Sequence, residues 1–182
     1  MMDEELFEEQ IESREIFKGK ILGLYLDKVM LPNNNIATRE KVVHPGAVGI
    51  VPVNQQGEVI LVKQFRYPPN KILLEIPAGK LDKGEDPKKC ASRELKEEVG
   101  AESGDIIKLA SFYTTPGFSN ELLVLFLAVN FEVKDNNLDE DEFLKIKKFT
   151  LSHANEMIRS GEIQDAKTII GIKLARDYFN GK

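Results

Sequence analysis

The sequence contains one cysteine, Cys90, and only two histidines, His44 and His153. A single cysteine excludes an intramolecular disulfide framework and favours a reducing compartment. Zinc sites usually take several cysteine or histidine ligands that converge in space. With so few of these residues, and with the two histidines far apart in sequence, a zinc site is not expected.

Long apolar runs and positive charge are also lacking. No run approaches the roughly 20 apolar residues that a membrane-spanning helix needs. Residues 1–10 are acidic and do not have the pattern of a secretory signal. The net charge is −5 and the pI about 5.3, which does not favour nucleic acid as a partner. We therefore expect a cytoplasmic protein with no nucleic-acid or membrane partner.

The chain has 182 residues, of which 42% are hydrophobic, enough for one domain with a small appendage. Apolar patterning predicts strands, with a hairpin at 15–30 and further strands at 36–44, 47–53, 58–66, 71–76, 106–114, 121–131 and 143–150. Helical periodicity predicts helices at 87–99, 151–160 and 164–179, and residues 77–86 are predicted as a loop. Because strands and helices intermix without regular alternation, the expected class is α+β. We expect residues 1–44 to form a β-rich N-terminal segment that takes part in a dimer, and residues 45–182 to form the main, catalytic domain.

The helix at 87–99 has the clearest boundaries. Asp86 is suited to the N-cap, Pro87 to the first helical position, and Gly100 to the position just after the end. Ala91, Leu95 and Val99 recur every four residues and form an apolar stripe. This stripe predicts which face of the helix is buried.

Three glutamates, Glu94, Glu97 and Glu98, crowd the end of this helix. Like charges four residues apart destabilise a helix by about 0.2–0.5 kcal/mol, and the C-terminal end of the helix dipole disfavours anions. A divalent cation would remove this conflict, and carboxylate oxygens suit Mg2+. The alternative for such a helix end is a solvated acidic face.

The spacing around these glutamates is specific. Gly79, five residues, Glu85, seven residues and then 93–100 (RELKEEVG) resemble the Nudix box at every polar and glycine position. Ala101 is smaller than the aliphatic residue usual in the family. The resemblance implies a Nudix fold, a mixed β-sheet sandwich flanked by helices. It also implies metal-dependent hydrolysis of the pyrophosphate bond of a nucleotide derivative.

The resemblance assigns roles within the box. It implies that Glu94, Glu98 and the carbonyl oxygen of Ala78 bind Mg2+, with Mn2+ as a possible substitute, and that Glu97 lies beside them as a catalytic residue. The remaining box positions have structural roles, and they are Gly79, Glu85, Arg93 and Gly100. A metal bridging phosphate oxygens supplies Lewis acidity and orients water.

A second segment indicates the substrate. Residues 115–121 (TPGFSNE) resemble the segment that marks ADP-ribose pyrophosphatases, although alone they would be an ordinary Pro-Gly turn. The resemblance implies that Thr115, Pro116 and Gly117 contact the substrate and that Glu121 contacts a ribose hydroxyl. The expected reaction is hydrolysis of ADP-ribose to AMP and ribose 5-phosphate. Alternatives are a GDP-mannose or ADP-glucose diphosphatase, and a non-catalytic module that senses nucleotide sugars.

The catalytic base is expected in the acidic segment 138–143 (LDEDEF). By resemblance, Glu140 matches the family's base and Glu142 an additional metal-associated glutamate. Four consecutive acidic residues leave the register open, so Glu142 is the alternative base. Without the resemblance, the segment would be a solvated acidic loop.

Basic residues outside the box complete the expected site. Arg39 and Arg66 match positions that bind phosphates or the terminal ribose, and the planar fork of arginine suits a diphosphate. Surface ion pairing is the alternative for each. Four further positions are assigned to substrate binding, and they are Glu40, Lys80, Lys20 and Ile21, the last two near adenine. The motif DAKT at 165–168 also resembles these enzymes, which are homodimers that exchange their N-terminal strands. The alternative for residues 15–44 is a hairpin that folds onto its own subunit.

Overall fold

The computed structural model describes residues 5–133 and 144–181 of the chain. In these ranges the backbone forms strands and helices in the following order: β1 Glu9–Lys18, β2 Gly23–Met30, β3 Ile36–Val43, β4 Ala47–Pro52, β5 Glu58–Arg66, β6 Lys71–Glu75, β7 Ala78–Lys80, α1 Pro87–Val99, β8 Ala101–Tyr113, β9 Leu122–Val133, β10 Leu144–Thr150, α2 Leu151–Ser160 and α3 Ala166–Phe179. None of these helices is long and apolar enough to cross a membrane.

The strands form three sheets, in the orders β1-β2-β3, β10-β5-β6 and β7-β4-β9-β8. In the third sheet, β4 pairs with β9 in parallel and with β7 in antiparallel orientation. Every other strand pair with an assigned register in the described ranges is antiparallel. One mixed sheet, two antiparallel sheets and the three helices of the described ranges confirm the α+β class.

The chain divides into two compact units, Met1–Gly46 with Tyr113–Leu122, and Ala47–Phe112 with Leu123–Lys182. In the first unit, β1, β2 and β3 form an antiparallel sheet, and the segment between β8 and β9 adds to β3. The N–H of Val42 donates to the carbonyl of Phe118 at 2.7 Å, and the N–H of Asn120 donates to the carbonyl of Val42 at 3.3 Å. Residues distant in sequence thus complete this unit.

The second unit has two apolar clusters on opposite faces of the sheet that contains β4 and β9. Because side chains alternate along a strand, Val48 and Ile50 enter the cluster that includes Leu95 of α1. Val51 enters the other cluster, which includes Ile172 of α3. All six residues of β4 are buried. This strand therefore has a helix packed on each face, α1 on one and α3 on the other.

Some element boundaries differ from expectation. The predicted hairpin is present, but β1 starts at Glu9, six residues earlier, because its main chain pairs with β2 along its whole length. The prediction of a continuous loop at 77–86 was wrong, since Ala78–Lys80 forms β7. The short sequence AGK has no strand pattern of its own. It becomes a strand because the edge of β4 offers it main-chain partners, with Gly79 opposite Val48.

Candidate active site

Helix α1 is positioned by its own local sequence. The Asp86 carboxylate accepts hydrogen bonds from the N–H groups of Lys88 and Lys89 at 3.0 and 3.1 Å. At the other end, Gly100 has φ 69°, a left-handed conformation, and its N–H donates to the carbonyl of Lys96 at 3.0 Å. These contacts confirm both predicted caps.

The buried face of α1 carries carboxylates beside its apolar stripe. Ala91, Leu95 and Val99 are at most 1% exposed, as the periodicity predicted. Glu94 and Glu98 are also buried, at 8% and 4% exposure. Two carboxylates one turn apart on a buried helix face are costly unless they are compensated. The structure therefore excludes the solvated acidic face as an account of Glu94 and Glu98.

Strand β7 lies directly over these two carboxylates. A Cβ atom built on Gly79 would be 1.8 Å from Oε1 of Glu94, so a side chain fits here only if Glu94 or β7 moves. The N–H of Ala78 donates to Oε2 of Glu98 at 3.2 Å. The glycine of the box is thus required by the close approach of the β7 backbone to the helix.

Arg93 connects the loop before α1 to the acidic edge of the helix. Its Nε and Nη2 donate to the two oxygens of Glu85, both at 3.2 Å. Its Nη1 donates to Glu94 at 2.7 Å and to Glu97 at 3.0 Å. The hydrogen bond to Glu85 and the neighbouring carboxylates raise the pKa of Arg93 above its ordinary value. The predicted pairing of Arg93 with Glu85 is present in the structure.

The same contacts act on the acidity of neighbouring groups. Hydrogen bonds from Arg93 and from the N–H of Asp82 lower the pKa of Glu85 from 4.5 to about 2. Burial and contact with Glu85 raise the pKa of the Cys90 thiol to about 12. Cys90 is fully buried and its thiol donates to the carbonyl of Lys80 at 3.4 Å. Its role is packing beneath the loop.

We expect replacement of Glu85 with glutamine to flatten the acid dependence of stability. Because the folded-state pKa of Glu85 is depressed, its contribution is complete above pH 4.5 and is lost as the pH falls towards 2. The urea midpoint of the wild type should exceed that of Glu85→Gln at neutral pH, and the difference should shrink below pH 4.5. Urea titrations between pH 2.5 and 7 measure this. A difference that stays constant down to pH 3 would contradict the assignment.

The donor set of this region suits a hard divalent cation. Glu94, Glu98 and the backbone of Ala78 converge at one point of the fold, and Mg2+ is typically held by one or two carboxylates with further oxygens. In the described ranges, no three His, Cys, Asp or Glu side chains already form a metal-binding group. Two carboxylates beside this backbone nonetheless match an ion that takes its remaining ligands from other oxygens, phosphates and water.

A separate groove of about 470 Å³ lies within the first unit. Four predicted substrate residues line it, namely Arg39, Glu40, Pro116 and Gly117. The exposed rings of Tyr113 and Phe118 also line it, at 60% and 56% exposure. The structure thus brings together residues from 39–40 and 116–117 that the sequence places far apart.

Ion pairs order the polar wall of this groove. Nε of Arg39 donates to Glu8 at 2.9 Å, which is the surface pair considered as the alternative for this arginine. Asp27 is 4% exposed and accepts hydrogen bonds from Ser13 and Lys41. Asp27 and Lys41 were missed by the sequence analysis because nothing in a regular strand pattern marks them.

The segment 114–121 is held by local hydrogen bonds. The carbonyl of Thr115 accepts from the N–H groups of Phe118 and Ser119 at 3.2 and 3.0 Å, which makes the expected turn. The Glu121 carboxylate accepts from the Thr114 hydroxyl at 2.6 Å and lies 3.7 Å from Nδ1 of His44. The proposed contact of Glu121 with a ribose remains a prediction.

Other predicted residues lie elsewhere. Arg66 forms a bidentate pair with buried Glu75, at 2.8 and 2.9 Å. Lys20 and Ile21 lie in the turn between β1 and β2 and do not line the groove. The side chain of Lys80 is exposed at the end of β7. Glu140 and Glu142 lie outside the described residues. The substrate and base roles of these residues remain predictions.

Comparison with known proteins supports the resemblance to Nudix enzymes. A NUDIX domain model matches residues 43–169. An ADP-ribose pyrophosphatase of Bacillus subtilis (strain 168) is 45% identical over 92% of both chains. A methanol dehydrogenase activator of Bacillus methanolicus is 43% identical, also over 92% of both. A GDP-mannose pyrophosphatase of Yersinia pestis (strain Pestoides F) is 34% identical over 74% of this chain and 72% of its own.

A solved structure, described as an ADP compounds hydrolase, superposes with a TM-score of 0.86. It covers 97% of this chain and 96% of its own, at 22% identity. This similarity confirms the predicted Nudix fold. Together with the domain match and the buried carboxylates under Gly79, it shows that the chain belongs to the Nudix hydrolase family.

Proposed function

We propose that the protein hydrolyses the pyrophosphate bond of ADP-ribose, with Mg2+ as the metal and with AMP and ribose 5-phosphate as products. The observation that carries the chemistry is the pair of buried carboxylates, Glu94 and Glu98, beneath Gly79. The substrate is supported by 45% identity, over 92% of both chains, to an ADP-ribose pyrophosphatase.

The site residues divide into those that hold a metal and those that position them. Glu94, Glu98 and the Ala78 carbonyl would hold Mg2+, or Mn2+ in its place, and the ion supplies charge neutralisation and Lewis acidity to the phosphates when bound. Arg93 orients Glu94 and Glu97 through its Nη1. Because phosphoryl transfer depends mainly on positioning and electrostatics, this rigid support contributes directly to the rate.

Water activation needs a base within reach of the attacked phosphorus. We assign this role to Glu140, with Glu142 as the alternative, on the resemblance of the acidic segment. Glu140→Gln should lower kcat and leave metal affinity almost unchanged. If Glu140→Gln has a normal kcat and Glu142→Gln a reduced one, Glu142 is the base instead. Arg39 and Arg66 would bind the anionic groups of the substrate, and Arg39 lines the groove in the first unit.

The direct test is incubation of the purified protein with MgCl2 and ADP-ribose, followed by chromatography of the products. AMP and ribose 5-phosphate are expected in equal amounts, and EDTA should stop their release. Running the reaction in 18O water shows which product gains the label and hence which phosphorus is attacked. GDP-mannose and ADP-glucose, the two alternative substrates, are tested under the same conditions. Turnover of either one, with ADP-ribose left intact, would overturn the substrate and keep the hydrolase assignment.

A second candidate follows from the 43% identity to a methanol dehydrogenase activator. This value is close to that of the pyrophosphatase, so identity alone does not separate the two activities. Addition of the protein to a purified methanol dehydrogenase, with the rate of alcohol oxidation as readout, tests it. An unchanged rate together with hydrolysis of ADP-ribose favours the first candidate.

We also propose that the protein is a cytoplasmic homodimer. The support for the dimer is β1, in which all ten residues are exposed, including Ile11, Ile16 and Phe17. Large exposed apolar patches are uncommon on monomeric soluble proteins and mark interaction surfaces. Light scattering coupled to size exclusion should give twice the mass of 20.5 kDa. The single buried cysteine supports a reducing compartment.

A further inference from the structure

A chain of ionic contacts links the start of α3 to Arg66. Lys167, in the first turn of α3, forms ion pairs with Glu75 and, at 3.1 Å, with Asp165. Glu75 also accepts the bidentate pair from Nε and Nη2 of Arg66. Three of these residues were not expected at the site, although 165–168 is the DAKT motif. Through Glu75, the lysine of this motif is therefore linked to Arg66, a predicted substrate-binding arginine.

Glu75 is the centre of this network. It is 1% exposed, and its two oxygens face two cations that come from β5 and α3. Burial alone would raise the pKa of Glu75, but the bonds from Arg66 and Lys167 bring it below the ordinary value. Glu75 thus stays charged, and its carboxylate accepts hydrogen bonds from both partners.

Contacts other than its ion pairs hold the backbone of Lys167 in place. Asp165 caps α3 and accepts from the N–H and hydroxyl of Thr168, at 3.0 and 2.6 Å. The Thr168 hydroxyl in turn accepts from the N–H of Ile76 at 2.8 Å. A Cβ on Gly171 would be 2.8 Å from Val51, so the helix lies very close to the sheet. Lys167 therefore projects from a rigid base.

A purely structural role does not require the second cation. Arg66 already neutralises Glu75 in a bidentate pair, whereas the Lys167 side chain, only 14% exposed, loses most of its hydration to reach the same carboxylate. Arg66 itself remains 41% exposed, and its Nη1 edge points away from Glu75. The hydrogen bond to Glu75 is the main cause of the raised pKa of Arg66, and the charges of Glu75, Glu98 and Asp165 raise it further.

From this geometry we infer that Lys167 is a positioning residue for the diphosphate of the substrate. Lys167 fixes the carboxylate of Glu75. This carboxylate in turn binds Nε and Nη2 of Arg66 and leaves Nη1 available to a phosphate oxygen. This inference rests on the proposed function, and in particular on Arg66 as a phosphate ligand. It assigns to the DAKT motif a role in substrate affinity as well as in capping α3.

The first experiment compares Lys167→Met with the wild type in steady-state hydrolysis of ADP-ribose. We expect KM to rise about tenfold and kcat to stay within twofold, because contacts made in both ground and transition states act on KM. Lys167→Arg keeps the charge and should restore KM to within threefold. Lys173→Met, on the exposed face of the same helix, is the matched control and should leave both constants unchanged.

The second experiment tests whether Lys167 acts through Arg66. In an Arg66→Gln background, Lys167→Met should raise KM less than twofold further, since coupled residues are not additive. A full tenfold rise in that background, or an unchanged KM in the single variant, would overturn the inference. Should Lys167→Met fail to fold, Lys167→Gln takes its place and should raise KM at least threefold.

Calorimetric titration with inorganic pyrophosphate and MgCl2 keeps the two proposals separate. The affinity of Lys167→Met for this probe should be about tenfold weaker than that of the wild type, whether or not ADP-ribose is turned over. Equal affinities would contradict the positioning role. A wild type that binds pyrophosphate but hydrolyses no nucleotide sugar would instead contradict the proposed function.

Discussion

Replacement of Glu98 with glutamine is expected to lower kcat for ADP-ribose about a thousand-fold while the protein remains folded. A bound metal supplies several kcal/mol of transition-state stabilisation, and each 1.36 kcal/mol corresponds to a factor of ten in rate. The amide oxygen of glutamine can still accept from the N–H of Ala78, which Glu98 now binds at 3.2 Å. Steady-state kinetics, together with calorimetric titration of Mg2+, measure the two effects.

The matched control is Glu102→Gln, just beyond the same helix. Glu102 pairs with Lys96 at 3.1 Å, but both side chains are more than half exposed. Exposed pairs contribute at most about 1 kcal/mol, so this variant should keep kcat within twofold. A normal rate in Glu98→Gln would remove Glu98 from the metal site and shift attention to Glu94 and Glu97.

Replacement of Gly79 with alanine is the second change with a large expected effect. The added Cβ would lie 1.8 Å from Oε1 and 1.9 Å from Cδ of Glu94, far inside any real contact distance. Either β7 moves away from α1 or Glu94 leaves its bond with Arg93. We expect a loss of about 1–3 kcal/mol in stability and about a hundred-fold fall in kcat/KM, because displacing a site group by about 1 Å has an effect of that size.

Gly104→Ala is the control for Gly79→Ala. The nearest atom to a Cβ at Gly104 is the carbonyl oxygen of Asn130 at 3.7 Å, an ordinary contact. Its stability should change by no more than about 0.5 kcal/mol. Urea denaturation and the Mg2+ dependence of the rate provide the comparison. If Gly79→Ala binds Mg2+ and hydrolyses ADP-ribose normally, the carboxylate of Glu94 is not needed where the structure places it.

The features that could be predicted from sequence are those with local causes. Helix α1 was predicted with its observed bounds because Asp86 and Gly100 specify its ends through contacts within one turn. The pairing of Glu85 with Arg93 joins residues eight positions apart and followed from the box. Alternation along β4 and β5 likewise requires only the strand's own residues.

The features that could not be predicted depend on partners distant in sequence. Strand β7 exists because β4 accepts it, and AGK gives no local sign of this. The link between Glu75 and Lys167 spans 92 positions, and each residue alone is an ordinary charge in a strand or a helix. Nothing in the sequence distinguished Arg66 as a member of a buried network. The chemical type of each residue could identify candidate site residues, but it could not show which of them lie next to one another.

The division of the first unit also has a consequence for gene exchange between relatives. Its two parts, 1–46 and 113–122, are coded far apart, yet Val42 in one part is hydrogen-bonded to Phe118 and Asn120 in the other. A chimera that replaces only the first 46 codons would join one parent's β3 to the other parent's 113–122 segment. To transfer the groove that contains Arg39 and Pro116, both stretches must be exchanged together. Recombination at a single crossover would therefore separate residues that share one binding surface.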